Sequence, residues 1–261
     1  MFTYFNYNYL MLTPLPYIRE YLMDEIHLWH VHSIFEDISS TNTFLKEQSA
    51  SLSNRTVVLA NQQNSGRGRF QRQFKSARDK GIYCSFLLKK VEVQNRTHLS
   101  FSCALAIAMT INDLYQIKVQ IKWPNDLLLN KKKLAGILIE TVHQAESMDV
   151  VIGFGLNVHS QDFEGLDAIA LEDVYGAGLD RNEFLIHFFK TFDELSKLDN
   201  LMPLYHAFMI PIGSLISTTI QGFKTTLTIV NIQDDGTLLA KKEDGTLLTL
   251  FNEEIHTVPD L

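Results

Sequence analysis

The chain has 261 residues, 46% hydrophobic and 20% charged, with a formal net charge of −7. That length carries one sizeable core plus a small satellite. The acidic surplus argues against broad, non-specific affinity for nucleic acid, which needs a basic excess. No apolar run reaches the roughly 18 residues needed to cross a bilayer, so no membrane segment is expected. The two cysteines, Cys84 and Cys103, lie in apolar stretches and form no C-x-x-C pair. They read as buried thiols in a reducing, cytoplasmic compartment.

Residues 1–25 hold Phe2, Tyr4, Phe5, Tyr7, Tyr9 and Tyr17, with Pro14 and Pro16. The first basic residue is Arg19, so the stretch lacks the basic start of a secretory signal. It reads as a leader, with Met11 and Met23 as alternative starts.

From Ile26 the pattern turns regular. His27 to Val31 reads as a strand. Ser39-Ser40-Thr41-Asn42 before Thr43-Phe44-Leu45 reads as a capped helix start. Thr56 to Ala60 and Tyr83 to Leu88 have strand composition, and the polar stretch 61–80 between them is a loop. Leu99 to Tyr115 is apolar almost all round, which predicts a buried helix. Val119 to Trp123 alternates like a strand. Leu127 to Leu129 and Leu134 to Glu140 flank Asn130-Lys131-Lys132 as a hairpin. Val150 to Val158 is a strand with two internal glycines; Arg181 to Leu198 and Leu201 to Phe208 are helical. After Pro211-Ile212-Gly213 the chain turns rich in Thr, Ile, Val and Leu, and Asp235-Gly236 and Asp244-Gly245 are hairpin turns. This predicts three parts: 1–25, 26–210 and a small all-β unit over 211–261.

Three segments carry chemistry. In Gln63-Asn64-Ser65-Gly66-Arg67-Gly68-Arg69, with Arg72 beyond, glycines permit close backbone approach and arginines offer forks for carboxylate and phosphate. The P-loop spacing is absent, and taken alone the segment also fits a basic loop touching RNA. In Lys122-Trp123-Pro124-Asn125-Asp126, Pro124 breaks a strand and leaves Asn125 and Asp126 in a turn. Trp123 offers an aromatic face. Lys133 stands at the mouth of the following hairpin as a point charge, and Gly136 permits close approach. Lys131 and Lys132 read as surface charges. In Ile152-Gly153-Phe154-Gly155-Leu156-Asn157, the strand glycines fit either a ligand against the backbone or a packing need. His27, His30 and His32 read as incidental strand histidines rather than a zinc site. Asp234-Asp235 and Glu253-Glu254 read as turn and surface charges.

In order, Ser40-Thr41-Asn42, Gly66-Arg67-Gly68-Arg69 with Arg72, Lys122 to Asp126, Lys133-Leu134-Ala135-Gly136-Ile137, and Gly153 to Asn157 resemble the catalytic domain of biotin–protein ligases. A similar stretch over Ala168 to Leu171 follows the glycine strand. The resemblance covers roughly Ile26 to Ile210. It departs from the family at Phe74, where tryptophan is common, in the more charged segment Lys75 to Lys80, and at Asn252-Glu253-Glu254-Ile255, which replaces a Gly-Glu-Val-like turn.

The resemblance implies an α+β fold. A mixed central sheet with packed helices, class II synthetase-like, would be followed by a small C-terminal SH3-like β-barrel. It implies activation of biotin by ATP and Mg²⁺ as biotinyl-5′-AMP, then transfer to a lysine of a biotin carboxyl carrier protein. Ser40, Thr41, Asn42 and Gln63 would line the biotin pocket. Gly66, Arg67, Gly68 and Arg69 would form a loop over the ligand. Arg67, Arg69 and Arg72 would hold carboxylate and phosphates. Lys133 would contact the carboxylate and α-phosphate, beside Gly136. Trp123, Asn125, Asp126 and Asn157 would serve the nucleotide, with Asp126 near the metal and Arg181 on the same side. Some family members carry an N-terminal DNA-binding module; the short segment before Ile26 predicts none here, hence no specific DNA binding. The alternatives are a lipoate or octanoate ligase or transferase of the related fold, and a non-catalytic regulator that binds biotin or nucleotide.

Overall fold

The computed structural model of the chain describes residues 16–92, 95–144, 147–251 and 253–258. Residues 1–15 of the expected leader, Met11 included, and Asn252 of the closing turn lie outside the described residues.

Seven strands form one mixed sheet in the order β1-β2-β3-β7-β6-β5-β4. They are β1 (His30–Phe35), β2 (Thr56–Ala60), β3 (Gly81–Val91), β4 (Gln120–Lys122), β5 (Asp126–Leu129), β6 (Lys132–Gln144) and β7 (Ser147–Asn157). β1 and β2 pair in parallel, joined through helix α2 (Thr41–Gln48); the other neighbours are antiparallel.

Alternation of side chains explains why both faces are covered. Val57, Leu59, Cys84, Phe86 and Ile152 point into the main core, while Val58, Leu87 and Val151 form a second cluster with Leu45 of α2. The main core is closed by α3 (Asn95–Tyr115) and α5 (Arg181–Leu195). α3 is buried along most of its length, as its apolar sequence requires. α5 contributes Phe184, Phe188, Phe189 and Phe192, and the last two meet Trp29 and Phe86 in edge and tilted ring contacts. Both cysteines are buried here, and burial pushes both thiols up in pKa.

Two differences from the sequence reading concern the start of the chain. Arg19–Glu25 forms helix α1, with Leu22 fully buried in the core and the Ile18 N–H donating to Asn182 Oδ1 at 2.8 Å. β1 begins at His30 rather than His27, because Trp29 turns into the core while Leu28 stays exposed.

After α4 (Glu172–Tyr175), α5 and α6 (Met202–Phe208), a second sheet follows. Its strands are β8 (Leu215–Ile220), β9 (Phe223–Ile232), β10 (Leu238–Lys241), β11 (Leu247–Leu250) and β12 (His256–Thr257). They run antiparallel in the order β11-β10-β9-β8-β12. β11 and β12 stand at opposite ends, so the ladder is not closed into a barrel among the described residues. Gly236 and Gly245 take φ of +86° and +87° in the two Asp-Gly turns, a conformation that favours glycine.

Candidate active site

Directly opposite residues of neighbouring strands share a face of the sheet. On the α2 face, one row is Ser85, Gly153 and Leu138; the next is Tyr83, Gly155 and Gly136; a third is Leu87, Val151 and Glu140. Three glycines in two adjacent rows strip the middle of this face of side chains. A cavity of about 290 Å³ stands there. Its wall includes Ser40, Thr41, Asn42, Gln63, Arg67, Gly68, Arg69, Arg72, Trp123, Asn125, Asp126, Lys133, Gly136 and Asn157. Fourteen of the sixteen residues expected from the sequence are thus brought together. The exceptions are Arg181 and Gly66; Gly66 packs beneath the loop, where a Cβ would stand 2.5 Å from the Phe74 carbonyl oxygen.

The strand glycines are explained by packing. A Cβ on Gly153 falls 1.8 Å from Asn42 Oδ1, and one on Gly155 falls 2.3 Å from the Phe74 ring. The floor is left bare so that Asn42 and Phe74 can lie on it.

At one side of the cavity the hydroxyls and amides of α2, Gln63 and Ser85 are neutral, with the Glu140–Arg67 ion pair beside Asn42. Ser40 caps α2, its hydroxyl accepting from the Thr43 N–H, and this places Thr41 and Asn42 in the first turn, both buried. The Thr41 N–H donates to Gln63 Oε1 at 2.9 Å. The Ser85 hydroxyl donates to Asn42 Oδ1 at 2.6 Å and lies 2.7 Å from the Thr41 hydroxyl, which also reaches Gln63 Oε1 at 3.1 Å. Asn42 Nδ2 donates to the Leu138 carbonyl at 3.3 Å and to Glu140 Oε2 at 3.2 Å. Gln63 Nε2 donates to Ser76 Oγ at 2.9 Å. Every amide here has its orientation fixed by a partner.

The other side is cationic. Lys133 Nζ lies 2.7 Å from Asp126 Oδ1, and Lys122 Nζ lies 3.3 Å from Asp126 Oδ2. Arg69 donates to Asn125 Oδ1 at 3.0 Å, while Asn125 Nδ2 donates to the Ile137 carbonyl at 3.0 Å. Burial pulls the Arg69 pKa down, against the nearby carboxylates of Asp126, Glu254 and Glu253. The guanidinium stays charged, as arginine does in proteins. Arg72 pairs with Glu254.

Several expectations change. Glu254 is not a surface charge: it lines the cavity as the counter-ion of Arg72. Arg181 does not reach the cavity; it is buried, stacked over Tyr17 at 4.3 Å and donating to the Gly81 carbonyl. Trp123 is 1% exposed, and its indole N–H donates to the Gly236 carbonyl at 2.8 Å, which ties the first sheet to the β9–β10 turn. The Asn157 amide donates to the carbonyls of Lys133 and Ile169. Ile169 in turn pairs with Lys133 through the backbone, so the 168–171 stretch braces the Lys133 strand. Ser85 and Glu140 were missed. The signal for Ser85 was a lone hydroxyl in an apolar strand; for Glu140 it was a charge on the same face as Leu138.

A profile of the Biotin/lipoate A/B protein ligase family matches residues 34–157. A Mycobacterium tuberculosis biotin–acetyl-CoA-carboxylase ligase is 28% identical over 253 residues, 92% of this chain and 94% of that protein. A Bacillus spizizenii bifunctional ligase/repressor BirA is 28% identical over 229 residues, 82% of this chain and 70% of that protein. In structure, an Aquifex aeolicus biotin protein ligase in complex with biotin and ATP is similar, with a TM-score of 0.76 and 25% identity. That likeness covers 87% of this chain and 98% of the other.

Proposed function

From the premise that this chain belongs, through residues 34–157, to the Biotin/lipoate A/B protein ligase family, we propose that it is an ATP-dependent biotin–protein ligase. Its products are first biotinyl-5′-AMP and pyrophosphate, then a biotinylated lysine on a carrier protein. The observation that carries this reading is the polarity of one cavity: fixed neutral amides and hydroxyls at Thr41, Asn42, Gln63 and Ser85, with Lys133, Arg69 and Arg72 at the other side. Biotin has the matching polarity, a neutral ureido ring and a carboxylate tail. The ring of lipoate is a disulfide and the chain of octanoate is apolar. Neither offers hydrogen-bonding groups to this polar end, so an apolar ring or chain would displace water there without replacing its hydrogen bonds.

The chain's own groups account for the chemistry. Carboxylate and ATP repel each other, and the cations of Lys133, Arg69 and Arg72 offset that repulsion and stabilise charge building on the α-phosphate. Mg²⁺ enters with ATP as substrate. Asn125 and Asp126 are the donors it would meet, but Asp126 is already shared by two lysines. That fits an ion carried on the phosphates better than one caged by protein. The acyl-adenylate hydrolyses readily, so the loop 61–80 keeps water away until the carrier lysine attacks the acyl carbon and AMP leaves. By analogy with the M. tuberculosis relative, the carrier is the biotin carboxyl carrier protein of a carboxylase.

The test is pyrophosphate release from ATP with biotin, lipoate and octanoate offered separately. Biotin alone should support release. Release with lipoate or octanoate and none with biotin overturns the reading, as does biotin binding with no release.

A further inference from the structure

Three loop arginines face the cavity, but they are not equivalent. Arg67 Nη1 lies 3.2 Å from Glu140 Oε1, and the same oxygen lies 2.7 Å from Lys46 Nζ. The other oxygen, Oε2, accepts from Asn42 Nδ2 at 3.2 Å. Asn42 and Lys46 are one turn apart on α2, so both reach β6 from the same helix face. The Glu140 side chain is 14% exposed, the least of the three charged groups. A half-buried carboxylate holding two cations and an amide is a geometric joint between β6, α2 and the loop.

We propose that Glu140 is a positioning residue and Arg67 its loop anchor, not a contact for the ligand's carboxylate. Rigid backbone pairings flank Arg67: the Gly68 N–H donates to the Arg72 carbonyl at 2.7 Å and the Phe74 N–H to the Gly66 carbonyl at 2.9 Å. Arg67 also bridges to Gln73 across the loop base. Pinning Arg67 to Glu140 therefore pins the small hairpin that carries Arg69 and Arg72. It also fixes which end of the Asn42 amide faces the cavity floor. A pre-ordered loop spares the ligand the cost of ordering it.

The sign of one substitution separates this from its rival. If Arg67 instead holds the ligand carboxylate, Glu140 competes with the ligand, and Glu140→Gln frees the arginine and tightens binding. If Glu140 positions the loop, the same substitution weakens binding. Hydrogen exchange of the Gly68 and Phe74 amides is measured in the unliganded wild type, Glu140→Gln, Arg67→Gln and the double variant. Biotin affinity and the kcat of adenylation are measured alongside.

Each single variant should speed exchange at both amides, by about tenfold for loss of one charge-assisted contact. The double variant should be no worse than either single. Biotin affinity should fall by a similar factor in both singles, and the kcat of adenylation should fall with it, because the loosened hairpin carries Arg69 and Arg72. Restoring the charge with Arg67→Lys should recover part of the protection. Unchanged exchange in Glu140→Gln overturns the proposal, and so does tighter biotin binding. The inference rests on the ligase reading only for its biotin arm. A wild type that fails to bind biotin defeats that reading, while the exchange arm still decides the role of Glu140.

Discussion

The Lys133 ammonium stands 2.7 Å from the Asp126 carboxylate across the β5–β6 hairpin, and Gly136 is the reason it fits. A Cβ at Gly136 is 3.2 Å from Lys133 Nζ and 3.5 Å from Asp126 Oδ1. The pair holds the lysine in the cavity before any anion arrives. Lys133→Ala should therefore cut pyrophosphate release by two orders of magnitude or more, about what loss of one preorganised charge contact costs. The unfolding midpoint should stay near wild type, because the Lys133 side chain is 38% exposed. Near-wild-type release from this variant refutes its role.

Arg69 reaches Asn125 from the loop at 3.0 Å and so helps close the cavity. Arg69→Ala should let the acyl-adenylate escape, seen as biotin on bystander lysines of an unrelated protein. Gly68→Ser is milder, because a Cβ at Gly68 meets nothing closer than 3.4 Å. Selectivity unchanged in Arg69→Ala counts against the loop as the safeguard.

Gly153→Ala drives a methyl group into Asn42 Oδ1 and within 3.0 Å of Ser85 Oγ. Overpacking of this kind costs about 1–3 kcal/mol, read as a lower midpoint in urea. Biotin affinity should fall with it, because Asn42 must leave its seat. Wild-type stability and affinity together contradict the packing account of the strand glycines.

Trp123→Phe keeps the ring buried but removes the hydrogen bond to Gly236. The expected loss is about 1 kcal/mol of unfolding free energy, with adenylation largely retained. Loss of adenylation at unchanged stability would instead make the indole a nucleotide contact.

In the same turn, the Thr237 hydroxyl and then its N–H hold the Asp235 carboxyl below the ordinary aspartate pKa. A depressed folded-state value means stability that is present above the unfolded pKa and lost as pH falls through the folded one. Asp235→Asn should flatten part of the loss of stability on acidification below about pH 4. Identical acid titrations of the two proteins refute this.

Much of the site was legible because its residues sit in short contiguous motifs. Lys122 to Asp126 makes the turn from β4 into β5, and Lys133 to Gly136 lies on β6, which pairs with β5, so strand pairing brings them together automatically. β2 was legible to the residue, a β-branched run between polar flanks. The partners of the arginines were not legible. Glu140 lies 73 positions after Arg67 and Glu254 lies 182 after Arg72, so only the sheet order and the return of the last strands reveal them. The glycines of β7 were ambiguous because the sequence does not say which side chain fills the space; the answer, Asn42 and Phe74, comes from α2 and the loop. Helix α1 gave no pattern because seven residues with one buried leucine carry too little periodicity.

The most direct test of the central claim is transfer itself. The protein is incubated with ATP, Mg²⁺, biotin and an apo biotin carboxyl carrier domain, and the carrier's mass is measured. The account predicts a gain of one biotinyl group on the carrier lysine, dependent on ATP and lost in Lys133→Ala. No gain with biotin, and a lipoyl or octanoyl group gained in its place, would contradict it.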